Sequence, residues 1–179
     1  MFQPGPRSRR KTKVANSQHV NKLLRGDRMW LCEAEHLGMV LDFSHAELDN
    51  CSMNGCNLSR ADFTGARMAG GILPGMIFKD GKFVNAVMRG MNIGACIFDG
   101  ADLTGADLRN SHLRSTSFEG ATLLKACLKG ADLAGANLAG AKIDQSANEW
   151  ATVIGLHLVR GLPPGLFADA VAAGYKIPK

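Results

Sequence analysis

No run in this 179-residue chain approaches the ~18 consecutive apolar residues of a membrane-spanning helix. The start, Met1-Phe2-Gln3-Pro4-Gly5-Pro6, leads into charges and not into an apolar segment. No secretory signal is evident there, so the expected compartment is the cytoplasm. P-loop, GxSxG, HExxH and paired CxxC motifs are missing, which removes the commonest routes to phosphate, acyl-transfer and zinc chemistry. Cysteine is sparse, and Cys51, Cys56 and Cys96 read as small apolar filler with no histidine in register beside them. Cys127 falls at an outward position, with nothing nearby in sequence to tune it. The five histidines are scattered; His112, with Asp132 twenty residues on, reads as a surface contact and not an acid–base pair. No catalytic, cofactor-binding or metal-binding residue is assigned, and an enzyme is not expected.

What the chain does have is a count of five. Leu41 to Gln145 divides into 21 consecutive pentapeptides without an insertion. Every centre is Leu, Phe, Met or Ile, as at Phe43, Leu48, Met53 and Leu58. Two places earlier stands Ala, Cys, Gly, Ser or Thr, except at Leu41, Met76 and Met91. Two places later, Gly or Asn dominates. A spacing of five smears around a helix and alternates faces on a strand. It keeps every centre inside only if the chain turns once per pentapeptide, and Gly and Asn tolerate the positive φ such turns need.

Ala101-Asp102-Leu103-Thr104-Gly105 and Ala131-Asp132-Leu133-Ala134-Gly135 show the unit at its cleanest. The chain resembles the pentapeptide-repeat family, whose motif is A(D/N)LxX. The resemblance implies an all-β fold, a right-handed quadrilateral β-helix with four pentapeptides per coil, closed by short helical caps. Residues 20 apart should then stack. Phe43, Phe63 and Phe83 form one inward column, Phe78, Phe98 and Phe118 another, and Ala46, Ala66, Ala86, Ala106 and Ala126 a uniformly small third. These ladders read as core and not as a binding platform.

The organisation expected is a basic disordered tail over 1–16, a helical N-terminal cap over 17–40, the β-helix over 41–145 and a C-terminal cap over 146–179. The resemblance places a Trp30-Leu31 pair on a short helix ahead of the first coil. Leu166 to Ala173 reads as a closing helix stopped by Gly174. Capping is its first role. Pairing of two copies through Leu166, Phe167 and Val171 is the alternative, because relatives pair through C-terminal segments.

Charge is uneven. Through residue 28 there are eight basic residues and one acidic, whereas the repeat block holds ten basic and eleven acidic. Arg7, Arg9, Arg10, Lys11 and Lys13 form a candidate nucleic-acid tether, although no aromatics interleave them for base stacking. The outward positions of the rod are mostly polar. At mid-rod, Ile72, Pro74, Ile77, Val84, Val87 and Ile97 replace the usual Asp, Asn or Ser and mark a candidate partner surface. The competing reading is that local irregularity near Met76 and Met91 tucks them away.

The expected function is a non-enzymatic interaction or scaffold module with a protein partner. One branch of the family binds DNA gyrase by mimicking DNA with acidic rows. That alternative ranks lower here, because Lys82 breaks the Asp42/Asp62/Asp102 column and Arg89, Arg109 and Lys129 form a basic one.

Overall fold

The computed structural model describes residues 20–21, 38–144 and 147–177. The basic tail and nearly all of the expected N-terminal cap, Trp30 and Leu31 included, lie outside the described residues. From residue 42 the chain pairs with itself in parallel at intervals of twenty: Asp42 with Asp62, Glu47 with Arg67, Ser52 with Ile72, Asn57 with Ile77, and onward. Five residues per side therefore give a four-sided coil, stacked as a β-helix. We number the sides by their first-coil residues: first at Asp42, second at Glu47, third at Ser52, fourth at Asn57.

Corners and sides have separate local causes. The residue two after each centre carries positive φ, from His45 at 56° through Gly65 at 66° to Gly140 at 67°. Ala46 N–H closes the first turn onto Phe43 C=O at 3.1 Å, and the same bond recurs at most corners. Positive φ at the third turn position is type II geometry, easy for Gly and Asn. Arg60, Ala95 and Lys125 adopt it too, with φ of 64°, 54° and 60°, so coil closure overrides local preference there. The residue before the centre holds the side in place. Asp102 accepts the N–H of Thr104 at 3.0 Å and its hydroxyl at 2.6 Å. Asp42 with Ser44 and Asn57 with Ser59 repeat the arrangement. An Asp or Asn there mimics a backbone turn, which is why the motif has one.

The centres fill the rod. Phe43, Phe63 and Phe83 stack with ring centroids 4.7 and 4.8 Å apart, and Phe78, Phe98 and Phe118 with 4.9 and 5.4 Å. The two ladders occupy adjacent sides and meet edge to face, as at Phe78–Phe83 with 5.3 Å and 88°. Gly81 sits between those rings; a Cβ there would lie 2.9 Å from Phe83 Cε2.

Met76 and Met91 do not distort the register. Both are fully buried and the parallel pairing runs through them unbroken. Met91 fits because Gly71 stands in the coil below, where an added Cβ would meet Met91 Cε at 3.1 Å. Residues 71–98 thus keep inward and outward positions in order, and the mid-rod apolar side chains stay on the wall.

At four described corners the turn N–H bond is replaced; at Met53 the Cys56 N–H donates to Met76 Sδ at 3.3 Å, and the other three use a side-chain donor. Among the described residues, the carbonyls of Leu73, Met88 and Ile93 accept no turn N–H. Each takes a donor from the coil above instead: Cys96 Sγ at 3.0 Å, Ser111 Oγ at 2.8 Å and Thr116 Oγ1 at 2.9 Å. Ser and Thr inside the core are therefore hydrogen-bonded, as burial requires.

The ladder does not stop with the pentapeptide pattern. After the short helix α1 (Ala147–Trp150), Ile154 pairs with Asp132 and Arg160 with Asn137, intervals of 22 and 23. A partial further coil thus covers the third and fourth sides, with Val153 and Leu156 buried beneath it. The second side ends differently. Asp144 and Glu149 carboxylates and the Thr152 hydroxyl accept the N–H groups of Lys125, Leu128 and Gly130. Side chains there replace a missing strand and blunt the edge. Helix α2 (Leu166–Ala172) follows a left-handed Gly165, φ 87°, and packs Leu166 and Ala170 into the core.

Candidate interaction surface

Four-sided closure distributes the mid-rod apolar residues unequally. Ile72 and Pro74 lie on the third side, and Ile77 and Ile97 lie on the fourth, where they pair directly with each other. Val87 is on the second side, between Arg67 and Asp107, and Val84 is on the first. The structure brings together Ile72, Pro74, Ile77 and Ile97 along one edge of the rod and leaves Val84 and Val87 on the other two sides. Ile72 is 51% exposed, whereas Ile77, Ile97 and Pro74 are half-buried. Gly75, Gly94 and Ala95 complete this edge, so over two coils it carries no charge.

Elsewhere several wall charges pair with one another. Asp107 receives Arg109 through two bonds, 2.8 Å to Oδ1 and 2.7 Å to Oδ2, and Arg89 Nε lies 3.2 Å from Oδ2. Hydrogen bonding from Arg109 holds the Asp107 carboxyl below its usual range, with the Arg89 charge adding to it. The basic column Arg89, Arg109, Lys129 is thus partly neutralised from within. Asp132 lies 3.6 Å from Arg114 Nε and pairs in the ladder with His112. On the fourth side Lys79 Nζ stands 3.7 Å from Asp99 Oδ2, and Asp99 also accepts the Ser117 hydroxyl at 2.5 Å. The first-side column reads Asp42, Asp62, Lys82, Asp102, Thr122, Lys142: Lys82 interrupts the acidic row, and no acid follows Asp102.

The thiols and ends complete the inventory. Burial pushes Cys51 and Cys96 up to about 11, which keeps both as neutral thiols. Cys127 is half-buried on the second side above Asp107. Among the described residues no three His, Cys, Asp or Glu side chains group closely enough to hold a metal ion. At the C-terminal end a depression of about 360 Å³ lies between Ile154, Gly155 and Tyr175. The Tyr175 hydroxyl is fixed 2.7 Å from His157 Nδ1.

Of Leu166, Phe167 and Val171, Leu166 is core, Phe167 is half-buried against Tyr175, and Val171 is open at 42%. The structure adds exposed apolar residues that the sequence pattern did not single out: Ile154, Leu158 and Ile177. They lie where the five-residue register has ended, so no period separates inward from outward there.

A filled, four-sided parallel β-helix with ion pairs along its wall defines a repeat solenoid that displays a surface. The family model for pentapeptide repeats matches eight copies over residues 42–80 and 96–133. The chain belongs to the pentapeptide-repeat family. Its unmatched middle, 81–95, includes Val84, Val87 and Met91, yet pairs in the same ladder. Among solved structures it is similar to a pentapeptide-repeat protein from the Arabidopsis thaliana thylakoid lumen, at 19% identity over 70% of this chain and 88% of that one, TM-score 0.58. That likeness establishes the right-handed β-helix. Lesser overlaps are with HetL, involved in heterocyst differentiation regulation in the cyanobacterium Nostoc, at 23% identity over 66% and 73%, TM-score 0.31. Another is with QnrB1, a plasmid-mediated fluoroquinolone resistance protein, at 13% identity over 64% and 76%, TM-score 0.37. No curated protein sequence matches the chain. No helix among the described residues is long and apolar enough to cross a membrane.

Proposed function

We propose that the chain is a non-enzymatic interaction module whose rigid wall docks a protein partner along the edge between the third and fourth sides. One observation carries this reading. Ion pairs such as Arg67–Glu47, Lys82–Asp62 and Arg109–Asp107 line other parts of the wall, while Ile72, at 51% exposure, heads an uncharged strip with Pro74, Ile77 and Ile97. Burying such a strip needs no desolvation of charge, and a preformed wall loses little entropy on binding. Free cysteines at inward positions support a reducing, cytoplasmic setting. Gyrase binding by DNA mimicry has less support, because Lys82 interrupts the acidic column and Thr122 and Lys142 end it.

A photo-crosslinking residue at position 72, used in the source cell, tests the wall. Discrete adducts should form and should vanish when Ile77→Lys and Ile97→Lys are added to a chain that stays folded. An unchanged adduct pattern in that folded variant counts against the wall. The second surface is the C-terminal end, favoured by the separate exposure of Ile154, Leu158, Val171 and Ile177. Pairing of two copies there predicts loss of self-association on Val171→Asp with Ile177→Asp.

A further inference from the structure

We infer that the fourth side binds the fourth side of a second copy of this chain, the two rods antiparallel about a twofold axis lying between the coil of Ile77 and the coil of Ile97. This rests on the wall being the binding surface, and it names one occupant.

The argument is self-complementarity. Ile77 and Ile97 are consecutive members of one column, and Lys79 and Asp99 occupy the next outward position on the same two coils. A twofold axis across the rod reverses the order of coils but keeps the position along each side. Ile77 then faces the second copy's Ile97, and Lys79 faces the second copy's Asp99; the same two contacts recur in mirror order, as an isologous interface demands. One coil further out, Asn57 meets the second copy's Ser117, and Arg60 comes beside the second copy's Glu119.

Register is selected by charge. Moving the axis onto the Ile97 coil sets Asp99 against Asp99, and moving it onto the Ile77 coil sets Lys79 against Lys79. Like charges at an interface are strongly disfavoured, so these neighbouring registers are rejected. Parallel rods keep each coil at its own height and never oppose Lys79 to Asp99. Both side chains reach solvent, Lys79 at 54% and Asp99 at 26% exposure, so each can engage a second partner. Their contact within one chain, 3.7 Å between an exposed lysine and a partly exposed carboxylate, contributes little to the fold. Changing Lys79 therefore tests association with the Ser117–Asp99 bond of the fold kept.

The experiment is sedimentation equilibrium of the full chain between about 1 and 100 μM. The wild-type should show a monomer–dimer equilibrium. Lys79→Asp and Asp99→Lys, each alone, should weaken it by about tenfold or more, since each sets like charges at both contacts. An equimolar mixture of these two variants should recover a heterodimer. One of its contacts then holds the reversed pair, an introduced carboxylate at position 79 against an introduced ammonium at position 99. The other contact keeps the original Lys79 and Asp99. Contacts within one chain cannot produce that recovery. A wild-type chain that stays monomeric overturns the proposal, and so does a mixture that associates no better than its components. Dimerisation abolished by Val171→Asp but untouched by the wall variants assigns the contact to the C-terminal end and also overturns it. Asp99→Lys removes the Ser117 bond; if that variant misfolds, Lys79→Asp and Lys79→Glu, which leave the bond intact, must still weaken the dimer. Adducts at position 72 to a different protein are scored separately, so failure of self-pairing is distinguishable from failure of the wall.

Discussion

Thr116 donates its hydroxyl to the carbonyl of Ile93 in the coil beneath, at 2.9 Å and with Thr116 fully buried. That carbonyl accepts no turn N–H among the described residues, so the hydroxyl is its partner. Thr116→Val keeps the shape and removes the donor. The expected cost is about 1–3 kcal/mol, the penalty for an unsatisfied buried acceptor. Thr122→Val, on the outer wall, should stay within about 0.5 kcal/mol. Denaturant midpoints for the pair check this, and equal shifts would refute the assignment.

Ala86 and Ala106 stack in a column that is small throughout and fully buried at both positions. Leucine at either site adds volume that neither the coil above nor the coil below can yield. A loss of roughly 1–3 kcal/mol or more is expected, measured by thermal or denaturant unfolding. A variant as stable as the parent would show that the column has spare room.

Asp107 has its carboxyl held below the ordinary 3.8 by Arg109 and Arg89. A depressed value in the folded state means a contribution that is fully present above the unfolded value. It disappears as pH falls through the lowered folded value. Asp107→Asn should therefore reduce the melting temperature modestly at neutral pH and flatten its decline on the acid limb below about pH 4. An acid limb identical to that of the parent would show that the arginines give Asp107 no net stabilisation.

Thiol reagents should discriminate among the cysteines. Burial and thiols pushed up to about 11 protect Cys51 and Cys96. Among the cysteines of the described residues, Cys127, half-buried on the wall, should be modified before Cys51, Cys56 and Cys96. Peptide mapping after brief labelling decides it; early modification of Cys96 would mean that the coil opens there.

Deleting residues 1–16 should leave the melting temperature unchanged. If those residues tether nucleic acid, binding to duplex should be weak, steeply salt-dependent and lost on deletion. Selective binding that resists salt would contradict a tail tether.

The period of five was enough to sort inside from outside. Phe43, Leu48, Ala86 and Ala106 could be placed in the core because an unbroken repeat admits a single inward set. The same rule placed Ile77 and Ile97 on the wall, even beside Met91, whose fit depends on Gly71 one coil away. The family resemblance, with four pentapeptides per coil, already stacks Ile77 on Ile97 with Ile72 and Pro74 one side away, as the ladder has them. The period alone did not say which wall positions share a surface. That depends on how many sides close a coil: with four, Ile77 and Ile97 touch, Ile72 joins them around one corner, and Val84 and Val87 fall on other sides. Nor did it reach the C-terminal end, where Leu166 turned inward and Ile154, Leu158 and Ile177 outward once the repeat had lapsed. Burial within a coil is written locally, by the spacing of large and small residues. Neighbourhood between coils is set by closure of the chain on itself, and so is the opposition of Lys79 to Asp99; the period does not contain it, and the sequence reaches it through the family's four-sided coil alone.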